Sequence, residues 1–243
     1  MPAGRVFLAN VGANASHAPV VSPLYPDGTF DLIPIPEFNS RFKLSCLRYC
    51  DLHWNRGLLV HQILGARRWK WHCHNDPDLD NGVYGDLPES STRAAALRSA
   101  RPGDLLGFFG RLRPVGARLG SPPAGFYILG SFRIRSVFRP VASVRPPRAQ
   151  GVSTNPHVRK WVAGSPEMFW LFLGKPGRHT RSIPPVKLTR EVLIRLLPKS
   201  KSWNWGRGRS DLQTIGSYLR SIRSFQASAV PDLVSVLEGD VDR

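Results

Sequence analysis

His72, Cys73, His74, Asn75, Asp76 and Asp78, followed shortly by Tyr84-Gly85-Asp86, gather two imidazoles, a thiol and three carboxylates into one short stretch. In an extended backbone His72, His74 and Asp76 point one way, and Cys73 and Asn75 the other. Imidazole beside carboxylate on one face suits proton transfer near neutral pH or ligation of a divalent metal. Asp76 precedes Pro77, which biases it toward the extended conformation. The turn formers around Pro77 and at Asp80-Asn81-Gly82 then place Asp78 and Asp86 on loops beside the strand end. The competing reading is structural: Asn and Asp beside Pro and Gly cap turns, and a His beside Trp can be a satisfied core group.

Two further clusters join the list. Asn10, Asn14, Ser16 and His17 occupy a small-residue loop at the carboxyl end of an apolar stretch, where backbone amides can meet an anion or a base. Asn155-Pro156-His157-Val158-Arg159-Lys160 is the other. The catalytic candidates are His17, His74, Asp76 and Asp86. The substrate-binding candidates are Asn10, Asn14, Asn75, Tyr84, Asn155 and His157, with Asn10 and Asn14 orienting a base edge and Tyr84 stacking on it. No cofactor is assigned, although a divalent metal is open to this set. His74-x-Asp76 with a distant His157 permits the two-His-one-carboxylate pattern of iron oxygenases, which needs a jelly-roll scaffold. Cys46-x-x-x-Cys50 with Cys73 and His74 can be drawn as a zinc site but lacks a second tight ligand pair.

The 243 residues suffice for a sizeable core, and 42% hydrophobic content with seven Trp and twelve Phe excludes a disordered chain. Twenty-two Pro and 22 Gly promise many loops. Lys and Arg number 34 against 17 Asp and Glu, a formal charge of +17 that attracts polyanions, nucleic acid first among them. Arginine-rich composition without a ligand is the alternative. The candidate nucleic-acid contacts are Arg139, Arg145 and Arg148 in a basic, proline-rich connection, and Trp203, Trp205, Arg207 and Arg209, where aromatics interleave with cations. Three cysteines and no signal peptide or membrane-length apolar run lead us to expect a reduced, cytoplasmic protein without a membrane partner.

The positioning elements follow from pattern. Gly4–Gly12 reads as a buried strand, and Leu58–Leu64 as another. Asp27-Gly28 between apolar flanks signals a hairpin. Asp31–Glu37, with two prolines, is an edge strand or the wall of a pocket. Ser90 or Ser91 caps a helix that ends at Pro102-Gly103. Strands from Asp104 and from Gly125 are joined by a Gly/Pro-rich loop, and Met168–Gly174 is a further strand. Thr189 caps one helix and Ser210-x-x-Gln213 another, whose Leu212, Ile215, Leu219 and Ile222 face the core. Residues 231–243 form an acidic tail after a single domain over 1–230. The expected fold is α+β, one compact domain on a mixed, partly barrel-like sheet with short flanking helices.

The order helix, Arg-Pro-Gly-Asp, strand, loop, strand resembles the PUA-like barrels, including the EVE and ASCH domains, in which such a turn opens a strand beside a base-binding cleft. Arg5–Asn14 with His17, Pro26–Phe30, Ile35-Pro36-Glu37, His74–Asp78, Tyr84-Gly85-Asp86, Arg101–Leu106, Asn155-Pro156-His157 and the Phe-Trp-Leu-Phe strand resemble the third type of nucleotide-modification-associated domain. That resemblance implies a role in a phage or bacterial DNA base-modification or defence system, with its partner proteins, and lands on Asn10, Asn14, His17, Asp27, Glu37, His74, Asn75, Asp76, Tyr84, Gly85, Asp86 and His157. The expected function is modification of a base or nucleotide in a His/Asp/Asn pocket, on DNA, RNA or a free nucleotide. The alternative is a non-catalytic, PUA-like reader of modified bases.

Overall fold

A computed structural model describes residues 4–13, 20–38, 41–116, 124–140, 147–148, 151–175, 181, 183–206 and 208–239. The strands are β1 (Arg5–Val11), β2 (Ser22–Leu24), β3 (Ile35–Pro36), β4 (Cys73–His74), β5 (Val83–Asp86), β6 (Leu105–Pro114), β7 (Gly125–Phe138), β8 (Trp170–Gly174), β9 (Val186–Lys187) and β10 (Arg223–Gln226). The helices are α1 (Gly57–Trp69), α2 (Pro156–Val162), α3 (Arg190–Leu196), α4 (Asp211–Tyr218) and α5 (Pro231–Glu238). No helix among the described residues is long and apolar enough to cross a membrane.

The mixed sheet runs β10-β1-β6-β7-β8-β5, with β2 on β6 and β9 on β7. β1 and β6 pair in parallel, so Asn10 lies opposite Phe109, and the β6–β7 hairpin is antiparallel. Long β7 leaves β6 beyond Arg133 and pairs with β8 from Ile134 to Phe138, carrying β8 and β5 round to the candidate site. β10 and β5 stand at opposite ends and do not meet, so the sheet is open and the expected barrel-like character is corrected. Local order dictates a hairpin, but closure requires hydrogen bonds between the first and last strands, a non-local condition that a strand–loop–strand motif does not encode.

Alternation along β1 and β6 divides the core. Phe7, Leu106, Phe108 and Phe132 pack with Leu97, Tyr84 and Phe172 on one face. Leu8, Phe109 and Ile128 pack with Leu193, Ile215 and Leu233 of α3, α4 and α5 on the other. Each fully buried side chain of this size contributes roughly 1.5–3 kcal/mol. The residues expected in an acidic tail begin as α5, whose Leu233 and Leu237 are buried.

Several local expectations change. Leu58–Leu64 is helical, not a strand: Val60 and Leu64 are buried four residues apart while Leu58 is 84% exposed. The Asp27-Gly28 hairpin forms but stays short: Tyr25 N donates to Thr29 O at 2.8 Å, Asp31 N donates to Pro23 O at 3.3 Å and Leu24 bridges Phe30 antiparallel, while β2 also pairs with β6. The helix expected before Pro102 narrows to a 3-10 helix at Ala95–Ser99, and burial of Ala94, Leu97 and Ala100 at every third residue suits three residues per turn. Two of the expected caps are present, Thr189 Oγ1 accepting from Val192 N and Ser210 and Gln213 capping each other, whereas neither Ser90 nor Ser91 caps the Ala95–Ser99 helix, whose N-cap is Ala94 with no side-chain bond.

Candidate active site

Four segments meet at the end of β5. β4 pairs with β3, placing His74 opposite Ile35, two residues before Glu37. β5 carries Tyr84, Gly85 and Asp86 against β8, and α2 brings His157. Asn155 caps α2, its Oδ1 accepting from His157 N (3.0 Å) and Val158 N (3.4 Å), while its Nδ2 donates to Asp76 Oδ2 (3.0 Å). Asn155 therefore positions both an imidazole and a carboxylate. Gly85 N also donates to Asp76 Oδ2 at 2.8 Å. A Cβ at Gly85 would lie 2.7 Å from His157 Cδ2 and 3.0 Å from Asp76 Oδ2, so the convergence demands glycine there.

The Nε2 atoms of His74 and His157 lie 3.2 Å apart, and His157 Nε2 is 3.9 Å from Asp76 Oδ2. Glu37 Oε2 lies 3.2 Å from His74 Nδ1 and accepts from Lys160 Nζ at 2.7 Å. With Nδ1–H pointed at Glu37, His74 keeps its Nε2 lone pair for the cluster, an arrangement common in metal-ligating histidines. Among the described residues, His74, Asp76 and His157 form the one group of at least three His, Cys, Asp or Glu with donor atoms within 4.8 Å of one another. The three cysteines are free thiols and belong to no such group, which removes the cysteine-based zinc drawing.

Burial dominates the electrostatics. It pushes Asp76 well above the ordinary carboxylate range despite the bonds from Gly85 and Asn155. It pushes His157 well below the ordinary imidazole range, with the charges of His74 and Lys160 acting the same way. Burial alone would raise Glu37, but hydrogen bonds from His74 and Lys160 overcome it and hold the group at about 2. Asp86 is also raised by burial, against hydrogen bonds from the Tyr84 hydroxyl and Leu87 N. Asp76 Oδ1 and His157 Nδ1 are buried without hydrogen-bond partners.

Asn10, His74, Asp76, Tyr84, Asp86 and His157 line one cleft of about 640 Å³. The Tyr84 ring packs against Phe108 and Phe172, so its hydroxyl, not a free ring face, serves the site. Asn75 lines a neighbouring acidic pocket instead. His72 departs from the expected shared face: its Nδ1 contacts Cys46 O at 2.7 Å. Asn14, His17, Arg145 and Arg207 lie outside the described residues. Arg139 covers the Trp170 ring at 3.6 Å, and Arg148 and Arg209 are exposed away from the cleft lining. Trp205 is buried, and Trp203 stacks on Tyr218 with ring centroids 4.6 Å apart, so both cover the α3–α4 core. Lys160, Arg93, Arg111 and Arg220 were not singled out from sequence. Arg93, Arg111 and Arg220 are isolated cations without a local motif, while Lys160 was legible only as part of the Asn155 cluster.

The molecule is thus an open-sheet α+β protein with a buried imidazole–carboxylate cluster at the base of a polar cleft. Residues 5–196 match the model of Nucleotide modification associated domain 3, and the chain belongs to that family. No curated protein and no solved structure matches the chain. The α4 wall of the cleft, from Leu212 to Ile222, lies beyond the matched range.

Proposed function

We propose that the chain modifies the base of a nucleotide, free or within nucleic acid, at a divalent transition-metal ion held by His74, His157 and Asp76. The observation that carries this reading is the 3.2 Å separation of the two Nε2 atoms beside Asp76. Two nitrogens bound tetrahedrally at about 2.05 Å lie about 3.3 Å apart, so little movement is needed to admit an ion. A plain imidazole–imidazole hydrogen bond would also fit 3.2 Å, but it leaves the buried Asp76 Oδ1 without a partner. The Asp76 oxygen recorded nearest the imidazoles is Oδ2, 3.9 Å from His157 Nε2, and a cation bound there would supply the counter-charge that the buried carboxylate lacks. Three protein ligands leave coordination positions open for water or substrate, as in catalytic rather than structural sites. Asp86, beside the cluster, is the candidate for proton transfer, and family membership supports a nucleotide as substrate.

The test is mass spectrometry of nucleosides from DNA, RNA and the free nucleotide pool of cells expressing the wild-type chain or Asp76→Asn. A new nucleoside mass with the wild type alone is expected. The same product from both forms would remove Asp76 from the chemistry. No product from either would replace the enzyme with a reader that binds a modified base unchanged.

A further inference from the structure

The cleft also carries three arginines. Arg93, Arg111 and Arg220 line it with Asn10 and Gln213, and none of the three guanidiniums pairs with a carboxylate among the described residues. They come from three separate parts of the chain, and the backbone holds those parts together. Ile222 N donates to Arg93 O at 2.9 Å, tying the turn after α4 to the Arg93 segment. Arg111 lies opposite Phe126 in the β6–β7 register. The Phe126 ring in turn lies against α4 at Gly216, where an added Cβ would sit 3.4 Å away.

Arg111 Nε is buried without a partner. Burial, then the charge of Arg113, lowers the affinity of this guanidinium for its proton. Three cations brought to one cleft with no carboxylate paired to any of them cost free energy through desolvation and mutual repulsion, which an anion would offset. Asp76 and Asp86 are the only carboxylates among the described lining residues. Asp76 Oδ2 already accepts from Gly85 N and Asn155 Nδ2, and both oxygens of Asp86 already accept hydrogen bonds, from the Tyr84 hydroxyl and Leu87 N.

We infer that these three arginines bind the phosphate of the substrate, with half-buried Arg111 as anchor and exposed Arg93 and Arg220 closing on it, so that the base projects toward His74 and Asp76. This rests on the reading of the cleft as a nucleotide site, and defines the substrate as a phosphorylated nucleoside. The planar fork of Arg matches phosphate oxygens in a way Lys does not.

Calorimetric titration of the full chain with the four deoxynucleoside 5′-monophosphates and the four unphosphorylated deoxynucleosides tests it. The wild type should prefer its monophosphate by about tenfold or more, the scale of charge-assisted hydrogen bonds. Arg111→Gln and Arg220→Gln should bring that ratio toward one. Arg220 is exposed, so its variant remains informative if Arg111→Gln misfolds. Both arginine variants should keep the metal content of the wild type, whereas Asp76→Asn should lose the metal and keep the phosphate preference, which separates failure of this inference from failure of the metal site. A short single-stranded oligonucleotide that competes with the same arginine dependence would assign the phosphate to a strand; monophosphate binding alone would assign it to a free nucleotide. Equal affinity for nucleoside and monophosphate, or an undiminished ratio in the arginine variants, would overturn the inference.

Discussion

Asp76 and Asp78 are neighbours in sequence and belong to regions that use carboxylates in opposite ways. Asp76 lines both the cleft and the neighbouring acidic pocket, whose other acids, Asp31, Asp78 and Asp80, are committed to structure. Asp31 accepts from Tyr25 OH (2.6 Å), Asn55 N (2.8 Å) and Arg56 N (3.0 Å). Asp78 holds Asn81 through its backbone N (3.1 Å) and side chain (2.7 Å), and Asp80 receives both arms of Arg181 at 3.0 Å. In the cleft, Asp76 keeps an oxygen without a partner, and two imidazole nitrogens face each other beside it. Asp76 and Asp78 are the same residue type two positions apart. The difference lies in unspent donor and acceptor atoms held out of water, which are costly unless a ligand uses them.

The strongest way to break this contrast is to remove a cluster member. Asp76→Asn or His157→Gln should weaken divalent-ion affinity by more than about 100-fold, beyond the usual cost of losing a group that only orients a ligand. Elemental analysis of the purified chain measures it. Next, Glu37→Gln removes the charge that orients His74 and pairs with buried Lys160. It should cost about 10–100-fold in metal affinity and about 1–3 kcal/mol of stability, read by metal competition and urea denaturation.

On the other side, Asp31→Asn should cost about 1.5–3 kcal/mol in urea denaturation, because a buried acceptor of three donors is weakened, and should leave metal content unchanged. The smallest effect belongs to Asp80→Asn. Its pair with Arg181 is exposed on the aspartate side, and the loss should stay below about 1 kcal/mol. A larger loss of metal than of stability in Asp31→Asn would erase the distinction between the regions.

The sequence made part of this contrast legible. β1, β6, β7 and β8 are continuous apolar runs, and capping chemistry marks α3 and α4 directly. The run Leu58–Leu64 is too short for its period to separate strand from helix, so only the packing of Val60 and Leu64 reveals α1. His74, Asp76, Asp86 and His157 stood out by type, but nothing local could show that His157 would meet His74 or that Asp76 would keep an unpaired oxygen while Asp78 would not. Those facts depend on where α2 and Gly85 pack. Asn155 reads from sequence as a substrate-binding side chain, whereas the fold uses it as a helix cap that also holds Asp76. The Trp203–Arg209 stretch reads as a stacking surface, yet Trp205 is buried because α3 and α4 need cover.

A cobalt(II) titration of the full chain, followed by visible absorption, tests most directly whether the cleft and not the acidic pocket holds an ion. The wild type and Asp78→Asn should each take up one ion with the same saturable ligand-field band, and Asp76→Asn should show none. Uptake by Asp76→Asn as tight as by the wild type, or no saturable uptake by the wild type, would contradict the assignment of His74, Asp76 and His157 as a metal centre.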